Sequence, residues 1–256
     1  MTGPSSEGAP NRGTKLSIII PAFNERDTIE AIIERVRTVP RQHEIIVVDD
    51  GSTDGTQEIL QRVTARAPGT IRCIRHGTNQ GKGAAIQSGL AAVTGEVVIV
   101  QDADLEYHPE DYPAALRLID QGWADAVYGS RFLGPHRVFM YWHYLGNRVL
   151  TTICNVMTSS ILSDMETGFK VIRADVLRAL DIRSRTFDVE VELTVKLFRF
   201  GYRVYEMPIT YTGRTYREGK KITWTDGVRA LVALVKWGAL ARPRGEGAVP
   251  REPGVR

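Results

Sequence analysis

One segment decides the fold of this chain: Val97-Val-Ile-Val-Gln-Asp-Ala-Asp-Leu-Glu106. Its first four residues are apolar and mostly β-branched, which is typical of a buried strand. Asp102 and Asp104 follow, and in an extended chain both carboxylates would point the same way. Hard divalent cations bind such carboxylates together with substrate phosphates. The segment predicts a metal–diphosphate site at the end of a central strand, although a solvated acidic turn could have the same sequence.

Three units of strand, loop and helix precede this segment. The predicted strands cover residues 16–20, 44–48 and 71–74, and each is followed by a helical pattern of apolar residues. Such repetition predicts an α/β fold with a mostly parallel sheet and helices on both faces. Ligands of these sheets bind at the carboxyl ends of the strands. Acidic residues lie directly after the predicted strands: Glu25, Asp49, Asp50, Asp102 and Asp104.

Composition is that of an ordinary soluble globular protein. The 256 residues are 43% hydrophobic and 25% charged, and the net charge of +3 is too small to indicate nucleic-acid binding. Residues 1–14 and 241–256 are rich in Gly, Pro and other small or charged residues, and are predicted to be a disordered leader and tail. No apolar run is long enough to predict a membrane span. Cys73 and Cys154 have no metal-ligand spacing and are predicted to be buried free thiols in a reducing compartment.

Basic residues dominate several segments of the second half. Arg131 follows a predicted strand at 125–128, and residues 136–148, which end at Arg148, interleave basic with aromatic side chains. That mixture, with the amphipathic helix predicted at 224–240, suits a membrane surface, but a packed helix hairpin would look similar. The basic segment 211–221 either closes over a diphosphate or is an exposed charged loop. Glu190, near a helix start, could simply be a partner of the helix dipole.

The glycine-rich segment Asn79-Gln-Gly-Lys-Gly83 matches neither a dinucleotide fingerprint nor a P-loop. It is either a tight turn that begins a helix or a phosphate contact through Lys82. Taken with three further motifs, however, it resembles the inverting family 2 glycosyltransferases, which have the GT-A fold. The other motifs are Ile18-Ile-Ile-Pro-Ala-Phe-Asn-Glu25, Ile46-Val-Val-Asp-Asp-Gly-Ser-Thr-Asp-Gly55 and Gln101-Asp-Ala-Asp104.

Later motifs narrow the resemblance to the branch of dolichol-phosphate mannosyltransferases and polyprenyl-phosphate glycosyltransferases. They are Gly129-Ser-Arg131, Thr167-Gly-Phe169 and the basic segment 211–221. The resemblance covers about residues 15–237. It implies one GT-A domain over 15–240, with a nucleotide-sugar half at 15–128 and an acceptor half at 129–240.

The resemblance also implies roles for individual residues. A GDP- or UDP-linked sugar would be bound by Pro21, Ala22, Asn24, Glu25, Asp49, Asp50, Gly51, Lys82, Asp102, Ala103, Asp104, Arg214 and Lys220. Asp102 and Asp104 would hold Mg²⁺ or Mn²⁺. Glu106 would be a third metal ligand; it stands where this branch often has glutamine, which leaves the metal preference open. Glu190 matches a carboxylate near the sugar.

The implied reaction is inverting transfer of a hexose, mannose or glucose, from the nucleotide sugar to a polyprenyl or dolichyl phosphate. An ionised phosphate needs charge compensation more than a base, which the sequence offers in Arg131, Arg148 and Arg214. With Asp104 and Glu190 these form the expected catalytic set. The expected location is cytoplasmic, peripheral to the membrane, with a membrane-embedded partner left open. The alternatives are a hydroxyl acceptor that needs a base, in cell-envelope polysaccharide or natural-product synthesis, and a non-catalytic nucleotide-sugar-binding subunit.

Overall fold

The computed structural model describes residues 15–138, 140–214 and 224–240. Its strands are β1 Leu16–Ala22, β2 His43–Asp49, β3 Ile71–Arg75, β4 Val97–Val100, β5 Ala126–Ser130, β6 Lys170–Arg173 and β7 Val204–Pro208. Its helices are α1 Ile29–Arg37, α2 Thr56–Arg66, α3 Lys82–Ala92, α4 Tyr112–Asp120, α5 Tyr141–Thr158, α6 Ala174–Ala179, α7 Val189–Arg199 and α8 Trp224–Leu240. The predicted leader and tail, Phe139 and the basic residues at 215–223, Lys220 among them, lie outside the described residues.

The described strands form a seven-stranded sheet in the order β3-β2-β1-β4-β6-β5-β7. Strands β1 to β4 are mutually parallel, and β5 is parallel to β7. The α/β fold and the strands predicted from the sequence are confirmed. Strand β6 was not predicted: it lies antiparallel between β4 and β5. Its four residues begin and end with a charged residue, so its sequence lacks the apolar run that marks the other central strands.

Helix α3 packs unusually close to the sheet, and this closeness places its first residue, Lys82. The helix buries mainly alanine and glycine. A Cβ added at Gly89 would lie 2.6 Å from Cγ2 of Ile19 on β1. Helix α1 covers the opposite face of the sheet with larger apolar residues, Ile29, Ile32, Ile33 and Val36. The small residues of α3 thus bring Lys82 to the carboxyl edge of β1 and β4.

A separate apolar cluster joins the three helices α5, α7 and α8. Cys154 of α5, Val191 and Val195 of α7, and Leu234 and Trp237 of α8 are buried together. Within the described part of the chain, no helix combines the length and apolar character needed to cross a bilayer.

Both cysteines are free thiols, and Cys154 is buried as predicted. The prediction that Cys73 is buried is wrong, since its side chain is exposed. Cys73 lies on β3, which is an edge strand of the sheet, so one of its faces meets solvent.

Candidate active site

Strand β4 ends at Val100, and the two aspartates lie in the turn that follows. The extended geometry expected for them does not continue: Leu105 has a left-handed backbone, with φ of 64°, and the amide of Glu106 donates to Asp104 Oδ1 at 3.1 Å. The buried Gln101 fixes this turn, because its Nε2 donates to the carbonyl of Asp102 at 2.9 Å and its Oε1 accepts from the hydroxyl of Tyr112. Each aspartate consequently forms an ion pair with a different basic side chain.

Asp102 faces a buried row of alternating charges. Lys82 Nζ lies 2.7 Å from Asp102 Oδ1 and 3.1 Å from Glu190 Oε1. Lys170 on β6 contacts the other oxygen of Glu190. Burial alone would raise the pKa of Glu190, but Lys170 and Lys82 hold it below its usual value. Lys170 was missed at the sequence level, although it directly follows the Thr167-Gly-Phe169 motif.

Asp104 faces Arg214, which brings three segments of the chain together. The guanidinium lies 3.2 Å from Asp104 Oδ2, 3.6 Å from Glu25 Oε2 and 3.6 Å from Glu106 Oε1. Glu106 also holds the backbone of this segment. Its Oε2 accepts from the hydroxyl of Tyr211 at 2.5 Å, and its Oε1 accepts from the amide of Arg214 at 2.7 Å. The structure therefore brings Glu25, Asp104, Glu106 and Arg214 together, and both oxygens of Glu106, a predicted metal ligand, accept hydrogen bonds from the protein.

The negative charge at this turn fits a divalent cation. Burial raises the pKa of Asp104 to about 7; Asp102 and Glu106 add to the rise, while Arg214 opposes it. A cation bound between carboxylates would relieve this repulsion. Among the described residues no three His, Cys, Asp or Glu side chains form a ready metal site. Mg²⁺ commonly takes one or two carboxylates and completes its shell with phosphates and water.

The two aspartates after β2 have different surroundings. Asp50 accepts hydrogen bonds from the amides of Gln80 at 2.9 Å and Gly81 at 2.8 Å, and its other contact is the ring of His76 at 2.6 Å. It therefore shapes the loop before α3. Asp49 accepts from the amide of Ser52 at 2.9 Å through Oδ1. Its buried Oδ2 has no hydrogen-bond partner among the described residues, but it lies 3.7 Å from Nε of Arg75. Asp49 is therefore held less tightly than Asp50, through one hydrogen bond and a longer ion pair.

The other residues predicted to bind the nucleotide sugar also lie at the carboxyl ends of β1, β2 and β4. Asn24 links the loops after β1 and β2, since its amide donates to Ser52 Oγ at 3.0 Å and its Oδ1 accepts from the amide of Thr53 at 2.9 Å. Gly51 has φ of 75°, and a Cβ there would lie 2.7 Å from the carbonyl carbon of Thr78. Strand β1 extends through Pro21 and Ala22, two residues beyond its predicted end, and Ala103 is buried below the turn.

The start of α3 is used for packing within the protein. The amide of Ala84 donates to the carbonyl of Arg185 at 3.0 Å, and a Cβ at Gly83 would overlap the carbonyl oxygen of Ser184. Of the two interpretations of the glycine-rich segment, the backbone contacts match a tight turn and helix start. The lysine of this segment, Lys82, nevertheless belongs to the site, because it forms an ion pair with Asp102.

Arg131 and Arg148 contact adjacent residues of the segment 163–164. Arg131 forms a two-pronged ion pair with the buried Asp164: Nε to Oδ2 and Nη2 to Oδ1 are both 2.7 Å. Asn147 adds a hydrogen bond to Asp164 Oδ1 at 3.0 Å. Arg148 is exposed, and its Nη1 donates to the carbonyl of Ser163 at 3.3 Å. The fork of Arg131 is thus engaged by protein, while Arg148 is held at the surface.

The segment 164–168 connects these arginines to the turn that contains Asp102 and Asp104. We call it the bridging loop. Lys170 Nζ donates to the carbonyls of Met165, at 3.2 Å, and of Thr167. The amide of Gly168 donates to the hydroxyl of Tyr107 at 2.8 Å, and a Cβ at Gly168 would overlap Asp102 Oδ2. Only glycine fits this close approach, so the loop passes directly beside Asp102.

The family is shown by comparison with known sequences. The model of "Glycosyl transferase family 2" matches residues 17–181. The chain therefore belongs to glycosyl transferase family 2, and it is a glycosyltransferase, as the motifs predicted.

Curated relatives carry more particular names. An undecaprenyl-phosphate mannosyltransferase of Micrococcus luteus is 30% identical over 236 residues, which cover 89% of this chain and 95% of the relative. A polyprenol monophosphomannose synthase of Mycolicibacterium smegmatis is 29% identical over 88% of this chain and 87% of the relative. A dolichol-phosphate mannosyltransferase of Pyrococcus furiosus is 28% identical, over 87% of this chain and 64% of the relative.

Solved structures confirm the GT-A fold. Glucosyl-3-phosphoglycerate synthase of Mycobacterium tuberculosis, in complex with Mn²⁺, uridine diphosphate and glucosyl-3-phosphoglycerate, has a TM-score of 0.69. It is 21% identical, and the match covers 93% of this chain and 83% of that one. A second structure of that synthase contains Mg²⁺ and uridine diphosphate, again with a TM-score of 0.69, 21% identity and 93% and 83% coverage.

Proposed function

We propose that this glycosyltransferase moves one mannosyl residue from a nucleoside-diphosphate sugar to a polyprenyl phosphate, with inversion at the anomeric carbon. One observation carries the proposal: the bridging loop joins a turn whose carboxylates could hold a cation for the diphosphate to a second region that contains Arg131 and the exposed Arg148. Asp102, with its place for a cation, contacts the Gly168 end, and Arg131 is paired to the Asp164 end. The names of the curated relatives support polyprenyl phosphate as acceptor and mannose as the sugar.

The donor would bind along the carboxyl ends of β1, β2 and β4. The carboxylate of Asp49, whose Oδ2 has no hydrogen-bond partner among the described residues and lies 3.7 Å from Nε of Arg75, would accept a hydrogen bond from an N–H group of the base. A divalent cation on Asp102 and Asp104 would neutralise the leaving diphosphate. Lys82 fixes Asp102, and Arg214, which is exposed enough to reach a ligand, orients Asp104 and would face the diphosphate.

The acceptor phosphate would attack the anomeric carbon on the face opposite the diphosphate. One phosphate oxygen forms the new bond to carbon as the bond to the diphosphate oxygen breaks, and no proton is transferred. The surroundings of Glu190 agree with this, since Lys82 and Lys170 occupy its two oxygens and lower its pKa. A carboxylate held in this way is a poor general base, which a hydroxyl acceptor would need.

A membrane location follows from the proposed acceptor and is part of the proposal. Helices α5 and α8 bury one side in the cluster with α7 and leave large apolar side chains exposed on the other. The exposed residues include Trp142, Leu145, Val149, Val156, Val232 and Val235. Arg148 is on the same helix as several of them, so an acceptor phosphate there would have its lipid chain beside α5.

A donor and acceptor panel tests the function. GDP-mannose, GDP-glucose, UDP-mannose and UDP-glucose are each incubated with Mn²⁺ or Mg²⁺ and a short-chain polyprenyl phosphate, the matching free polyprenol, or a sugar alcohol. We expect a β-linked product from an α-linked mannosyl donor, with the phosphate acceptor alone. Transfer to hydroxyl acceptors but not to the phosphate would replace this proposal with a hydroxyl-acceptor enzyme, and donor binding without any turnover would favour a binding subunit.

A further inference from the structure

The middle of the bridging loop carries a carboxylate that the proposed mechanism does not use. Asp164, Met165 and Thr167 are each fully buried, whereas Glu166 between them keeps part of its surface. Its Oε1 is nevertheless enclosed and has no hydrogen-bond partner among the described residues. A buried carboxylate oxygen without a donor is costly in a folded protein, so it needs an explanation, and a bound ligand that supplies the donor is one.

The loop fixes where this carboxylate lies. At one end Asp164 is paired to Arg131, and at the other Gly168 packs against Asp102. Lys170 holds the two carbonyls that flank Glu166 in sequence. Within the loop, Glu166 thus lies between Asp164, which is the partner of Arg131, and Gly168, which packs against Asp102. In the proposed function the sugar in transit occupies the same interval, because its anomeric carbon lies between the leaving and attacking phosphates.

Charge decides which group of the ligand can donate a hydrogen bond to Glu166. A carboxylate repels both the donor diphosphate and the acceptor phosphate, so neither is its partner. The hexose between them is neutral and carries several hydroxyl donors. Burial raises the pKa of Glu166 to about 7; Lys170 and Arg131 oppose this, while Glu190 and Asp164 add to it. Hydrogen bonds from sugar hydroxyls would compensate the ionised form.

We propose that Glu166 is a specificity-determining residue that accepts a hydrogen bond from a hydroxyl group of the transferred hexose. The proposal rests on the proposed function for the position of the sugar. It predicts that one particular hydroxyl contributes to donor affinity through Glu166. Polar groups buried at a binding site discriminate strongly against an analogue that lacks the partner group.

Calorimetric binding without acceptor tests this. The Mn²⁺ complexes of the mannosyl donor, its 2-, 3-, 4- and 6-deoxy analogues and the bare nucleoside diphosphate are titrated into wild type, Glu166→Ala and Glu166→Gln. In wild type, one deoxy analogue should bind about ten- to a hundredfold more weakly than the parent. In Glu166→Ala that analogue and the parent should bind equally, and the bare diphosphate should bind as in wild type. Glu166→Gln, which keeps the side-chain shape, should show an intermediate penalty.

Glu34→Gln, an exposed acid on α1, is the matched control and should behave as wild type. The proposal is overturned if every deoxy analogue has the same penalty in wild type and in both variants. It is equally overturned if bare diphosphate affinity falls in parallel with donor affinity, because Glu166 would then only support the fold. A failure to transfer mannose to polyprenyl phosphate would instead contradict the proposed function. The comparison of donor binding would still be valid.

Discussion

The two candidate acceptor arginines differ in how the protein already uses them. Arg131 is 12% exposed and holds the fully buried Asp164 with both prongs of its guanidinium, whereas Arg148 is exposed and contacts one carbonyl oxygen. A residue that neutralises a buried partner contributes to stability as well as to binding. A surface arginine contributes to binding alone, so stability and transfer should separate between these two positions.

Arg148→Ala should reduce transfer to polyprenyl phosphate while leaving stability and donor affinity unchanged. The lost charge-assisted contact corresponds to about 1.5–3 kcal/mol, or roughly one to two powers of ten in rate. Lysine at this position should recover only part of the loss, because it lacks the planar fork. Steady-state kinetics with the short-chain acceptor measure this, and Arg62→Ala on the surface of α2 is the control. Unchanged transfer by Arg148→Ala would remove it from the acceptor site.

Arg131→Ala should lower both transfer and stability, the latter by about 3–5 kcal/mol, because Asp164 stays buried without its partner. Adding Asp164→Asn should restore much of the stability, measured by urea unfolding, without restoring transfer. If the double variant transfers at the wild-type rate, the pair is purely structural.

Asp104→Ala should remove nearly all transfer, at least about a hundredfold, with Asp102→Ala close behind, since each loses a metal ligand. The fold should survive because both residues lie in a turn after β4. Titration of Mn²⁺ in the presence of the nucleoside diphosphate, followed by electron paramagnetic resonance, should show the weakened metal site directly. Asp175→Ala, an exposed acid on α6, serves as control. Near wild-type turnover of Asp104→Ala at saturating metal would contradict the assignment.

Glu166 should make the ligand-free protein less stable as pH rises. Its pKa lies near 4.5 in the unfolded chain and about 7 in the folded one, with Lys170, Arg131, Glu190 and Asp164 as its charged neighbours. The unfolded chain therefore releases this proton first, and stability falls between those two pH values. Relative to wild type, the free energy of unfolding of Glu166→Gln should rise across this window by up to about 3 kcal/mol. Above pH 7 the difference between the two proteins should stay constant. Urea unfolding at several pH values checks this, and parallel curves throughout would disprove it.

At the scale of elements, motifs predict strands better than they predict contacts between distant segments. Apolar runs followed by acidic turns predicted β1, β2 and β4 together with the residues at their ends. Strand β6 was not predicted because a lysine such as Lys170 is typical of a loop, and its buried partner Glu190 is known only from the fold. Likewise, the sequence placed Glu106 beside the metal, but only the fold shows that Tyr211 and the Arg214 amide hold both of its oxygens. Such pairings depend on residues far apart in the chain, which local patterns do not record.

The segment 211–214 acts as a strap that positions Arg214. The backbone of Tyr211 forms isolated β-bridges with Tyr107 and His136, and its hydroxyl donates a hydrogen bond to Glu106. Tyr211→Phe removes that hydroxyl alone, so it should loosen the strap and weaken affinity for the Mn²⁺–nucleoside diphosphate by about three- to thirtyfold. Tyr205→Phe on β7, whose side chain is exposed, is the matched control. If affinity is unchanged while Arg214→Ala reduces it, Glu106 does not position Arg214 through Tyr211.

At the scale of the whole molecule, the reacting groups and the exposed apolar helix lie at one edge of the sheet. Helix α5 starts after β5 ends, on the same side as Arg131, and carries Arg148. Its first turn exposes Tyr141 by 65% and Trp142 by 77%. Trp123 is also exposed, by 54%, but it precedes β5 and therefore lies toward the opposite edge. The two tryptophans allow exposure and position to be separated.

The proposed membrane contact should therefore depend on α5 and not on surface aromatics in general. Tyr141→Ser combined with Trp142→Ser should reduce the fraction bound to vesicles of anionic lipid and slow transfer to long-chain polyprenyl phosphate in those vesicles, because interfacial aromatic side chains are lost. Transfer to a water-soluble short-chain phosphate should be unchanged, since the catalytic groups remain. Trp123→Ser should bind vesicles as wild type does. Equal losses in both variants, or none in either, would count against α5 as the contact, and a membrane-embedded partner protein would then better explain how the enzyme reaches a lipid acceptor.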